Sequence, residues 1–271
     1  MSLKDEENIY KEYFNPDMFE AYQNKFIKIP CEFFSYLQLD NKLILTLISL
    51  FKRKTIYNTI TVCLKNIIEE NNYIPAKGKN RSVEQFRDSL FNLIKLELVE
   101  FFSDKLQNIV KEQLEFEKQN NKKSVQYIPE YEKLINSINA TTIIALKFNE
   151  EKIKLLTTNN FTILDFNVII SLKKICENNS SVKMANLINT YILLKKHIEA
   201  NKHFSNEDWN ISINLLSNTL KLSEKTIIEA IKILESNQII FVKRKDGKNY
   251  YSLSKEKRAK GILSQKAKKV P

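Results

Sequence analysis

Glycine and proline are scarce, with three and five residues in a chain of 271. Tight turns and phosphate-cradling loops depend on such residues. The shortage excludes a P-loop or a dinucleotide-binding glycine pattern and points to helices joined by polar turns. Cysteine is also sparse. Cys31, Cys63 and Cys176 form an odd, dispersed set in apolar surroundings, with no C-x-x-C pair and no disulfide framework. They read as small buried hydrophobes in a reducing compartment. The two histidines, His197 and His203, stand at i and i+6, share no helix face and are too few for a histidine-rich metal site. Neither metal nor cofactor is expected. No apolar run reaches the ~20 residues that cross a bilayer, and the best stretch, Leu43 to Phe51, is interrupted by Thr46 and Ser49. The opening residues, with Lys4, Asp5, Glu6 and Glu7, lack the basic-then-apolar order of a secretory signal. A cytoplasmic chain with no membrane partner is expected.

Catalytic constellations are missing too. No clustered Ser/His/Asp or Cys/His set is visible, and the neighbouring carboxylates Glu69-Glu70 and Glu150-Glu151 read as solvated. Eleven tyrosines could supply a nucleophile for strand nicking, but no histidine pair stands nearby to hold a metal for it. An enzyme is not expected. Trp209, beside Glu207 and Asp208, reads as a core anchor and not as a base-stacking residue.

What the chain does have is material for cores and an uneven charge. Hydrophobic residues make up 43% and charged residues 28%, enough for two domains of ordinary size. The net charge is +11. From Lys243 to the C-terminus, 11 basic side chains face only Asp246 and Glu256, a net of +9. Nearly the whole excess therefore sits on one short segment, which favours a polyanionic partner. Charge alone does not choose between DNA, RNA and anionic lipid.

Residues 1–24 are polar and tyrosine-rich, and read as an arm. Residues 25–148 read as a first domain. Its short extended entry runs Lys25 to Pro30, and a helix capped by Asp40 runs from Asn41 to about Arg53. A second helix fits Thr59 to Asn71. A third, capped by Ser82, places Val83, Phe86, Leu90, Leu93 and Ile94 on one face. Leu98 to Phe102 and Thr141 to Phe148 read as strands that pair. Between them, residues 103–137 form a charged, asparagine-rich insertion at a hairpin tip, or a linker, with helix near Leu106 to Lys118. Residues 149–254 read as a second domain, with helices over Phe166 to Glu177 and Val182 to Asn201. Residues 255–271 are a basic tail. The stretch Phe33 to Asp40 faintly echoes Phe161 to Asp165, a hint of two related units.

The sharpest local pattern lies at 211–254. Ser212 caps a short helix with Ile213, Leu215, Leu216 and Leu220, and Lys221-Leu222 makes a turn. Ser223 caps a helix from Glu224 to about Ser236. Ile227, Ile228, Ile231 and Leu234 read as its buried stripe, which leaves Lys225, Thr226, Glu229, Lys232 and Ser236 outward. A strand over Ile239 to Val242, a basic turn over Lys243 to Asn249 with Asp-Gly at its tip, and a return strand over Tyr250 to Leu253 complete it.

Helix, turn, helix and basic hairpin make a winged helix-turn-helix pattern. Residues 184–254 resemble that superfamily, and residues 26–148 resemble a divergent copy. The fold class expected is mainly α with small β-hairpin wings, as two tandem winged helix-turn-helix domains. Such a helix suits the major groove of double-stranded DNA, and a basic wing suits phosphate. The DNA-binding residues expected are Lys225, Thr226, Glu229, Lys232, Ser236, Lys243, Arg244, Lys245, Lys248, Asn249, Lys257 and Arg258. A second DNA contact is assigned to Lys77, Lys79, Arg81, Asn92 and Lys95, with a dimerisation face as the alternative there. Tandem winged domains with a basic second copy resemble plasmid replication initiator proteins. That resemblance implies binding to repeated sites at an origin, a homodimer, and recruitment of host replication proteins. The alternatives are a transcriptional regulator and a winged-helix scaffold that holds protein partners.

Overall fold

The computed structural model describes residues 26–253, apart from 32, 38–39, 56, 121–125, 159–160, 180–181 and 202–208. The arm, the basic tail with Lys257 and Arg258, and His203 lie outside the described residues.

The chain is mainly helical, with small antiparallel sheets. Strand β1 (Phe26–Pro30) alternates inward Ile27 and Ile29 with outward Phe26 and Lys28, as a half-buried strand requires. After the short helix α1 (Phe33–Tyr36), α2 (Leu43–Lys52) is buried along nearly its whole length. Strand β2 (Thr59–Val62), α3 (Leu64–Glu70), α4 (Ser82–Lys95) and β3 (Val99–Phe101) follow. Two helices, α5 (Asp104–Gln119) and α6 (Pro129–Ser137), then precede β4 (Ile144–Phe148). The strands form a sheet of order β2-β4-β3. Helix α7 (Glu150–Leu156), whose cap Asn149 accepts from the Lys152 amide, closes this half.

The C-terminal half opens with β5 (Phe161–Asp165), α8 (Phe166–Asn178) and the long α9 (Met184–Asn201). Then come β6 (Trp209–Asn210), α10 (Ile213–Leu220), α11 (Glu224–Ser236), β7 (Phe241–Lys245) and β8 (Lys248–Ser252). Its sheet order is β6-β8-β7. Each half thus runs helix, strand, helix, helix, strand, strand, with α5 and α6 inserted between the last two strands of the N-terminal half and the last strand central in both sheets. The two entry strands, β1 and β5, pair antiparallel from Phe26↔Asp165 to Pro30↔Phe161. The strand at Phe161–Asp165 matches β1 in position, and not Phe33 to Asp40 as the sequence hinted.

One apolar core runs through both halves. Across the seam, Lys28 lies 4.4 Å from the centre of the Phe161 ring and Lys196 lies 4.4 Å from that of Phe34. Asn189 of α9 donates to the Asn41 carbonyl at 3.1 Å. At the start of α2, Lys42 is almost wholly buried and donates to the Tyr73 hydroxyl at 2.7 Å.

Several local expectations change. The stretch Thr59 to Asn71 is a strand and then a helix. The β-branched run Thr59-Ile60-Thr61-Val62 favours extended chain and finds a partner in β4, with Thr59 opposite Lys147. Helix α2 starts at Leu43 with Lys42 at its N-cap, so the cap role expected of Asp40 is not the one it takes. The Asp40 carboxylate accepts from the Lys42 amide at 3.0 Å, Ser89 Oγ at 2.6 Å and Asn92 Nδ2 at 2.9 Å, tying α2 to α4. Ser82 is the first residue of α4 and not its cap. Its hydroxyl instead holds the preceding loop, accepting from the Ala76 amide and donating to the Ile74 carbonyl.

The described parts of the segment 103–137 are two packed helices and not a linker. Val110, Tyr131 and Leu134 are buried, and Gln113, fully buried, accepts from the Ile128 amide at 2.8 Å and donates to the Gln126 carbonyl at 3.0 Å. Cys31 and Cys176 are buried and Cys63 half-buried, all free thiols. No helix among the described residues is long and apolar enough to cross a membrane.

Candidate nucleic-acid interface

Helix α11 is fixed at both ends and along one side. Ser223 Oγ accepts from the Thr226 amide at 3.2 Å, a side-chain cap that satisfies one of the orphan donors of the first turn. Ser212 caps α10 in the same way, accepting from the Leu215 amide at 3.1 Å. Between the two helices Lys221 takes a left-handed conformation with φ of 52°, and the Leu222 amide closes back on the Ser217 carbonyl at 3.3 Å. The inward stripe of α11 is Ile227, Ala230, Ile231 and Leu234.

That stripe corrects the sequence reading. Ile228 is not buried; it is 39% exposed. At ~100° per residue the centre of the stripe falls close to Ile227, which leaves Ile228 about 110° away. Counting the small Ala230 as a core position would have phased the helix correctly. The outward face holds Lys225, Ile228, Glu229, Lys232 and Ser236, all exposed. Thr226 is half-buried, and its hydroxyl is engaged with Ser223 Oγ at 2.8 Å.

The hairpin is tighter than expected. Lys243, Arg244 and Lys245 belong to β7 and not to the turn, because pairing continues to Lys245↔Lys248. Only Asp246 and Gly247 turn the chain, with φ of 51° and 71°. Positive φ at both central positions matches the right-handed twist of the flanking strands. Lys245 and Lys248 are exposed and Lys243 is half-buried. Arg244 is held: its guanidinium meets Glu235 of α11 through two bonds, 3.1 and 2.7 Å. This paired contact raises the Arg244 pKa further and joins the hairpin to the last turn of the helix. The Asn249 side chain donates to the buried Tyr251 hydroxyl at 3.4 Å, and its carbonyl accepts from Asn210 Nδ2 at 2.7 Å. Glu235 and Asn210, which position the hairpin, carry no sequence signal of that role.

The second set of expected contacts divides. Lys77, Lys79 and Arg81 are exposed in the loop before α4. Asn92 and Lys95 are not free to reach a partner. Asn92 is bound to Asp40, and Lys95 pairs with Glu117 of α5 at 2.6 Å. Lys95 also lies 5.3 Å from the Tyr131 ring centre, and Phe91 meets that ring edge-on at 5.5 Å. The helical insertion therefore covers the C-terminal end of α4. Asp88 on the same helix is exposed, and partial desolvation by its neighbours raises its pKa from the ordinary aspartate value.

Among the described residues no group of three His, Cys, Asp or Glu side chains is placed to hold a metal ion. Trp209 sits half-buried in β6 opposite Tyr251. Comparison of the chain with family models, curated proteins and solved structures gives no match.

Proposed function

We propose that this chain binds double-stranded DNA in a sequence-specific manner, as two tandem winged helix-turn-helix domains of which the C-terminal one reads the site. The observation that carries the reading is the unit of α11 and its basic hairpin. A capped helix presents an outward face of Lys225, Glu229, Lys232 and Ser236, and the Arg244–Glu235 pair joins the hairpin that carries Lys245 and Lys248 to the last turn of that helix. On this reading the two parts do different work. On the helix, Lys225 and Lys232 are balanced by Glu224 and Glu229, so it offers groups for base edges and little bulk attraction to phosphate. The hairpin, and the basic segment after it, supply the charge that holds the backbone.

The repeated element order in one chain suits a plasmid-type replication initiator that binds repeated origin sites, with a homodimer and host replication proteins as the implied partners. No catalytic step belongs to this function. Selection of duplexes by the full chain from a random-sequence library and from genomic fragments tests it. The expected result is a recovered motif, in direct repeats, bound with a steep salt dependence. A palindrome within promoters would replace the initiator by a transcriptional regulator. No enriched duplex, or binding indifferent to salt, would overturn DNA binding altogether and favour a scaffold.

A further inference from the structure

One side chain on α11 is out of place by the ordinary logic of burial. A single exposed apolar residue on a protein surface needs no explanation. At Ile228 three features together call for one. First, the helix inverts size and burial: Ala230 is buried in the inward stripe while the larger Ile228 stays 39% exposed. Second, helix propensity does not place an isoleucine there, since a β-branched side chain loses rotamer freedom on a helix and alanine or lysine would serve better. Third, its neighbours one turn away on the outward side are Lys225 and Lys232, with Glu229 adjacent, and on the other side Glu224 and the buried Ile231, so it is the apolar residue at the border of a polar face. That face is fixed in direction by the Ser223 cap and by the Arg244–Glu235 pair.

The major groove offers one apolar feature, the 5-methyl group of thymine, and apolar side chains recognise it by contact. We infer that Ile228 is a specificity-determining residue that packs against a thymine methyl, so that the bound site holds an A·T pair of fixed orientation opposite the middle of α11. The inference rests on the DNA-binding reading above and deepens it.

The test replaces thymine with deoxyuridine, one position at a time, in a duplex recovered by the full-length protein from a random-sequence library. This removes the methyl group and leaves every Watson–Crick pair intact. Binding should fall about fourfold at one or two positions, the effect of losing one buried methyl, and remain level elsewhere. In Ile228→Ala the same uracil duplexes should bind as the thymine duplex does, while Ile228→Val should keep most of the discrimination. Unfolding followed by Trp209 fluorescence checks that both variants are folded, and exposed position 228 makes that the expected result. A level uracil scan with the natural protein, or an equal loss in Ile228→Ala, overturns the role of Ile228 and leaves DNA binding standing. Failure to retain any duplex from the library overturns DNA binding, and this inference with it.

Discussion

Ile227→Ala and Ile228→Ala remove the same atoms from adjacent positions of one helix, and their effects on stability should differ widely. Ile227 is wholly buried between α11 and the core, whereas Ile228 is 39% exposed. Truncation at 227 forfeits the transfer energy of the removed carbons and leaves a cavity, together costing roughly 2–5 kcal/mol. At 228 the space opened is continuous with solvent. Alanine also favours a helix by a few tenths of a kcal/mol over isoleucine, so the net cost should stay below about 1 kcal/mol. The assay is urea unfolding followed by the fluorescence of Trp209, the only tryptophan in the chain. It lies in β6 opposite Tyr251 of β8, so its emission reports on the sheet whose strand β7 is tied to α11 through Arg244 and Glu235. Each midpoint, multiplied by the common slope, gives the free-energy change. Two variants within ~0.5 kcal/mol of each other, or a less stable Ile228→Ala, would mean that α11 is rotated from the described phase. The outward face proposed to read DNA would then be wrong with it.

Deleting residues 255–271 should weaken binding about equally for all duplexes and flatten its salt dependence, because seven lysines and arginines against one glutamate leave the chain; an unchanged slope removes the tail from the interface. Lys225→Ala and Lys232→Ala should each relax preference at one or two base pairs, by ~1–3 kcal/mol of discrimination, without lowering the melting temperature. Full specificity in both variants would pass the reading role to the hairpin or the N-terminal half. Lys42 should give a pH signature: burial pushes its amine down from 10.5 to about 8, so between those values the unfolded chain binds the proton more tightly and stability gains with rising pH from this group. Below about pH 8 the cost is fully present, and Lys42→Met should relieve about 1–3 kcal/mol of it, since the Tyr73 hydroxyl keeps its bond with the Ala185 backbone. A difference between wild type and variant that is flat from neutral pH to 10.5 would refute the burial argument.

Features fixed by neighbours in sequence were legible. Ser212 and Ser223 were readable as caps because the bond each makes is with an amide three residues on, and Asp246-Gly247 was readable as a turn because few residues tolerate two positive φ angles. Features fixed by distant partners were not. Thr59–Val62 is a strand because β4, more than eighty residues later, pairs with it; locally it abuts a helical pattern and was merged with it. Asn92 and Lys95 looked outward on a helical wheel, and only the folded insertion, with Glu117 and Tyr131, turns that end of α4 inward. The phase of α11 failed for another reason. Three isoleucines and a leucine gave two acceptable stripes, and the deciding residue, Ala230, is small enough to be passed over.

The two halves share one order of elements, yet the third helix of each meets a different environment. In the N-terminal half α4 is drawn inward: Asp40 holds Ser89 and Asn92, Glu117 holds Lys95, and Tyr131 packs on Phe91. Where the C-terminal half turns between its last two strands with two residues, this half inserts two helices between β3 and β4. Both differences reduce what α4 can offer to a groove and increase what it contributes to a rigid body. In the C-terminal half α11 is bound to its hairpin by the two bonds between Glu235 and Arg244, and among the described residues its outward side chains are exposed. Pairing of the entry strands β1 and β5, with Lys28 over Phe161 and Lys196 over Phe34, then fixes the covered half against the open one. A reader helix gains specificity when the body behind it does not flex, because less order has to be imposed on binding. Under the DNA-binding reading, the N-terminal half acts mainly by holding α11 in place, with Lys77, Lys79 and Arg81 as its remaining exposed basic groups near α4.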